Sequence, residues 1–152
     1  MSYSIEHPPK IQRSKPHAAG HNAGQAGHCL LTGRDTAGAL SLWISIVHPG
    51  SHAPFHVHSR EDETFFLLSG EMEARIGDKY HTLRAGDSVF LPRGIPQRLV
   101  NVSSTLAEVI MLIHPPALEN FFAEVDRITS EGPPSPEIMR EAAARYGVTI
   151  IE

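Results

Sequence analysis

Between residues 28 and 114, turn signals cut the chain into short segments whose side chains alternate with period two, and no other feature narrows its choice of fold as much. Leu40, Leu42, Ile44 and Ile46 alternate with Ser41, Trp43, Ser45 and Val47. Successive side chains of a strand point to opposite sides, so this pattern reads as a strand with one strongly apolar face. Gly33-Arg34-Asp35-Thr36-Ala37-Gly38 reads as a loop before it. Residues 64–68 are β-branched, aromatic and aliphatic, and Ser69-Gly70-Glu71 turns them back. Met72, Ala74 and Ile76 then alternate with Glu73 and Arg75, Gly77-Asp78 turns again, and residues 80–83 return. Segments at 89–91, 97–102 and 106–113 complete the series. Many short strands at close spacing predict an all-β sandwich or barrel, with no internal repeat and no second domain.

The two ends read differently. Residues 1–27 hold Pro8, Pro9, Pro16, Gly20, Gly24 and Gly27 and few large apolar side chains, so they read as a solvated arm without its own core. His7, His17 and His21 fall there, and His28 just after, at irregular spacings with nothing to hold them as ligands in fixed geometry. After Pro115-Pro116 the period becomes helical: Leu118, Phe121, Phe122, Val125 and Ile128 predict an amphipathic helix over 117–129. A second helix is predicted over 136–146, with Ser135 as N-cap, Pro136 at N1 and Gly147 at C′. The apolar tail at 148–151 is expected to dock. The organisation is therefore an arm over 1–27, a barrel over 28–114 and a C-terminal helical extension over 115–152.

Composition excludes several classes. A formal net charge of −4 argues against a nucleic-acid binder, which would carry a basic face, and offers no polybasic membrane address. No stretch approaches the roughly 18 apolar residues of a membrane span. The first residues contain no apolar signal core, so a cytoplasmic location is the expectation. One cysteine, Cys29, rules out an intramolecular disulfide framework.

Ten histidines are the unusual item of the composition, and their placement carries the functional reading. His56 and His58 flank Val57 at i, i+2, which on a strand puts both imidazoles on one face. Glu63 follows five residues later, beyond a polar turn at Ser59-Arg60, where a strand pair returns its carboxylate beside them. Two histidines and one carboxylate with open positions make the donor set suited to Fe(II), Mn(II) and related ions. His48, His52 and His114 lie near strand ends and read as structural.

The flanks of this trio carry a family resemblance. Residues 50–70, GSHAPFHVHSREDETFFLLSG, fit G-x5-H-x-H-x4-E-x6-G at every fixed position. Residues 86–101, GDSVFLPRGIPQRLVN, fit G-x5-P-x-G-x2-H-x3-N except that Gln97 replaces the histidine. The chain thus resembles the cupin superfamily over roughly residues 26–114, and its C-terminal helices are similar to those of single-domain, quercetin-dioxygenase-like cupins. The resemblance implies a double-stranded β-helix, that is, a jelly-roll barrel, with one or two C-terminal helices. It implies a divalent transition metal (Fe, Mn, Ni, Cu, Co or Zn) held by His56, His58 and Glu63. Gln97 stands where the family's fourth ligand does. It either binds the ion through its amide oxygen, or stands off and donates a hydrogen bond to bound water, O₂ or substrate; a third reading is a decayed site without metal. Leu99 shares the face of Gln97, and Phe65 and Leu67 share that of Glu63. Phe55, Phe90, Trp43 and Met111 are further candidates for pocket lining, and Asn101 reads as a hydrogen-bonding turn residue.

Three functions are compatible with such a site. One is a metal-dependent dioxygenase acting on a small enolic or phenolic substrate, with Glu63 as ligand or as acceptor of the substrate's proton. The second is an isomerase or lyase using the ion to polarise a carbonyl. The third is a non-enzymatic cupin that binds a small ligand. The resemblance also implies a homodimer, since unpaired barrel edges are otherwise a liability, with the N-terminal arm available to add a strand to the partner.

Overall fold

The computed structural model describes residues 10–11, 20–22 and 25–152. Two antiparallel sheets face each other. The first has six strands: β1 (Gly20–Asn22), β2 (Gln25–Leu31), β3 (Ser41–Val47), β10 (Ala107–His114), β5 (Asp62–Ser69) and β8 (Ser88–Leu91), neighbours in that order. The second has five: β11 (Val148–Ile150), β4 (His56–His58), β9 (Gln97–Val100), β6 (Glu71–Ile76) and β7 (Lys79–Arg84). Consecutive strands alternate between the sheets at β3/β4, β4/β5 and β5/β6, which is the jelly-roll form of the predicted barrel. Helices α1 (Glu119–Thr129) and α2 (Pro136–Arg145) follow the last long strand.

Local chemistry explains the turns. Gly70 turns β5 into β6 at φ +86°, and a Cβ there would lie 2.8 Å from the Ala107 Cα, so the position demands glycine twice over. Asn101, wholly buried, donates from Nδ2 to the carbonyls of Val47 (2.8 Å) and Thr105 (2.7 Å) and accepts from the Ser103 amide, the turn role expected of it. Ser135 caps α2 by accepting from the Ile138 amide, and Pro136 opens the helix.

Three features depart from the sequence reading. Strands begin before residue 28, inside the stretch read as an arm. Pairing there is carried by backbone: Gly27 lets β2 approach β3 so closely that an added Cβ would lie 2.8 Å from the Ile44 carbonyl oxygen. Histidines 7 and 17 lie outside the described residues. On β3, the inner row is Ser41, Trp43, Ser45 and Val47, while the apolar row Leu42, Ile44 and Ile46 is half-buried on the outer face. Finally, the C-terminal tail does more than dock. Val148, Thr149 and Ile150 pair with His58, Val57 and His56, adding a fifth strand beside β4.

Two apolar clusters fill the interior. Val47, Leu67, Met72, Leu91, Leu99 and Val109 pack between the sheets. Met111, Ile113, Leu118, Phe121, Phe122, Val125 and Val148 form the second, which clamps α1 over the end of the barrel. Phe122 meets Trp43 edge-on, with centroids 4.9 Å apart. The Tyr146 hydroxyl donates to Glu124 at 2.8 Å and Arg145 also binds Glu124, which ties α2 to α1.

Candidate metal centre

Both sheets contribute to the site. Strand β4 presents His56 and His58, with His56 opposite Gln97 of β9. Strand β5 of the other sheet presents Glu63, opposite Leu91 and Ile113. The fold therefore brings together all four residues singled out from the sequence. His58, Glu63 and Gln97 are buried and His56 is half-buried. Among the described residues, His56, His58 and Glu63 are the group whose ligand atoms lie within 4.8 Å of one another.

The ring orientations suit a cation. His56 Nδ1 lies 2.7 Å from the Pro54 carbonyl, and its Nε2 lies 3.0 Å from the Nε2 of His58. His58 Nε2 is in turn 3.3 Å from Glu63 Oε2. Two imidazole lone pairs aimed at each other at that distance repel unless a proton or a metal ion shares the space. With no ion, a proton serves. Burial pushes the His58 imidazole down, but Glu61 and Glu63 outweigh it and carry it up to about 9. Burial and the charge of His58 push His56 below its ordinary value. Burial pushes Glu63 up, yet both imidazoles and Gln97 hold it below the usual carboxylate range. Neutral imidazole nitrogens and a carboxylate oxygen fit a first-row divalent ion.

Gln97 meets the carboxylate of Glu63. Its amide nitrogen donates to Glu63 Oε2 at 2.6 Å, so in this state it orients the carboxylate. Among the other described histidines, His52 and His114 are exposed and lie against the carbonyls of Ala53 and Ala39.

A cavity of about 220 Å³ opens from the four residues. Phe65, Met72, Leu99 and Met111 wall it from the barrel. The helices add Phe121, Phe122, Val125 and Met139, and the final strand adds Val148 and Ile150. Of the further lining candidates, only Met111 is confirmed. Phe90 is 61% exposed on the outside, Phe55 lies under the Arg75 guanidinium, and Trp43 packs on Phe122. The helical wall escaped the sequence reading because an amphipathic face shows that it is buried, not against what. Glu61 was also missed. It is fully buried behind His58, its Oε2 3.4 Å from Nδ1.

Comparison with known proteins agrees with this fold. Residues 43–113 match the cupin domain family. Protein SchB of Streptomyces halstedii is 28% identical over 93 residues, which cover 60% of this chain and 67% of that protein. The tetracenomycin polyketide synthase protein TcmJ of Streptomyces glaucescens is 26% identical over 121 residues, 78% of each chain. Among solved structures, a Cupin 2 conserved barrel domain protein from Salinispora arenicola superposes with a TM-score of 0.63 at 19% identity, covering 78% of this chain and 98% of that one. At that identity the likeness speaks for the fold alone.

Proposed function

Because the chain is a member of the cupin superfamily, we propose that it is a metal-dependent dioxygenase acting on a small enolic or phenolic substrate. The observation that carries this reading is the convergence of His56, His58 and Glu63 on one point at the polar end of an otherwise apolar chamber. A bound divalent ion would be held by these three residues, with the Gln97 amide beside them, and would supply a Lewis acid with positions left for substrate oxygen and O₂. The largely apolar chamber walls suit the hydrocarbon part of such a substrate. Glu63 accepts the proton of the substrate's enol or phenol. When it does, the hydrogen bond from Gln97 holds the carboxylate in place. TcmJ belongs by name to a polyketide synthase, and polyketides are rich in enolic and phenolic oxygens, which supports the substrate class.

The test is anaerobic loading with Fe(II), followed by O₂ uptake with flavonols, β-diketones and catechols. Uptake with at least one class is the expected result, absent in a His56→Ala control; no uptake with any of them overturns the reading. The same apolar cavity also suits a second reading, a non-enzymatic cupin that binds a small ligand. Binding of a phenol by the metal-loaded protein without turnover would decide for it.

We also propose that two copies pair through the outer face of the six-stranded sheet. Leu42, Ile44, Ile110 and Leu112 form its centre, flanked by Phe66 (41% exposed) and Phe90 (61%). At strand spacings of about 4.8 Å and rises of about 3.3 Å per residue, the face covers roughly 600 Å², close to the ~800 Å² each partner of a stable dimer buries. Sedimentation should show a dimer for the wild type and a monomer for Phe66→Glu. A wild-type monomer at micromolar concentration overturns the pairing.

A further inference from the structure

Behind the metal-binding face stands a carboxylate that no step above uses. Glu61 is wholly inaccessible to solvent, and neither of its oxygens has a hydrogen-bond partner of good geometry. An unmatched carboxylate in an apolar interior is destabilising, so such a group calls for a reason. Arg93, whose charge Glu61 feels, does not supply one: it is committed to Asp62, through Nε at 3.0 Å and Nη2 at 2.9 Å. The atom facing Glu61 is His58 Nδ1, at 3.4 Å, and this nitrogen too is buried without another partner. The two orphaned groups are each other's remaining partner. His56 shows the same layout, with Nδ1 against the Pro54 carbonyl and Nε2 turned inward.

We propose that Glu61 is a positioning residue which accepts the Nδ1–H of His58, fixing the tautomer whose Nε2 lone pair faces the ion. A histidine can offer Nε2 to a metal only when its proton sits on Nδ1, and a carboxylate behind that proton also makes the ring a stronger donor. Glu61 lies on the far side of the ring from the ligand cluster, so it acts through His58 and not on the ion.

The inference rests on the metal-centre reading, and the experiment separates the two. Co(II) titration by calorimetry should give an affinity 10- to 100-fold weaker for Glu61→Gln than for wild type, the range typical of groups that orient a metal ligand. The Co(II) absorption spectrum should keep its coordination number. Equal affinities in the two proteins overturn the role of Glu61 alone; a wild-type protein that takes up no Co(II) overturns the metal centre and this inference with it. Should Glu61→Gln fail to fold, nitrogen NMR of the Zn(II)-loaded wild type decides. A slowly exchanging proton on His58 Nδ1 supports the proposal, and a fast-exchanging one or an Nε2–H tautomer refutes it.

Discussion

Replacing His56 by alanine is expected to weaken Co(II) or Mn(II) binding by more than about 100-fold, the upper end of what losing a mere orienting partner costs. His56 is the cleanest ligand to remove. It is half-buried, and apart from His58 its hydrogen-bonding neighbour is the Pro54 carbonyl, so the metal-free fold should barely notice. His58 differs. Removing it strips the buried carboxylates Glu61 and Glu63 of their shared cation, and breaking a buried pair from one side costs about 3–5 kcal/mol. His58→Ala should therefore lose both metal affinity and metal-free stability, whereas His56→Ala loses affinity alone. Calorimetric melting reads both effects at once. At an ion concentration of about 100 times Kd, binding adds about 2.7 kcal/mol to the wild type. In a domain of this size that raises Tm by roughly 5–11 °C at about 2–4 °C per kcal/mol. His56→Ala should show no such rise. A full rise in that variant would remove His56 from the site.

The contrast between these two histidines shows what the sequence could and could not convey. That both imidazoles share a face follows from strand periodicity within three residues, and the return of Glu63 follows from one turn. Such local geometry is legible. So are the Ser135 cap and Pro136, which mark the start of α2. Non-local pairings are not. Glu61 follows the polar turn at Ser59-Arg60 in a run of three acidic residues, and the three carboxylates part ways: one behind His58, one to Arg93, one into the cavity. Strand β11 is too short to declare itself, because its order comes from β4 on the opposite side of the chain. The inner serines of β3 mislead for a related reason. An apolar row marks a buried face only when nothing else can cover the other one. Here α1 reaches in over Trp43, and the polar Ser41 and Ser45 are sealed beneath the fold.

The same helix carries the other large expected effect. Phe122→Ala should destabilise the protein by about 3–5 kcal/mol, the usual cost of truncating a buried phenylalanine. Phe122 is 6% exposed, edge-on to Trp43 at 4.9 Å and tilted against Phe121 at 5.8 Å. Its removal deletes the contact that pins α1 to the inner row of β3 and leaves a void continuous with the cavity. A loss of that size is a large part of the roughly 5–15 kcal/mol that holds a domain together, and it lowers Tm by roughly 6–20 °C. Ile138→Ala, on the half-exposed first turn of α2, is the control and should change stability by about 0.5 kcal/mol or less. The comparison also bears on chemistry. If the helical wall is what keeps water from Glu63, a small phenol should bind the metal-loaded Phe122→Ala protein more weakly at a temperature where it is still folded. Equal melting temperatures for the two variants would mean that α1 does not pack on the barrel, and the apolar chamber would have no roof.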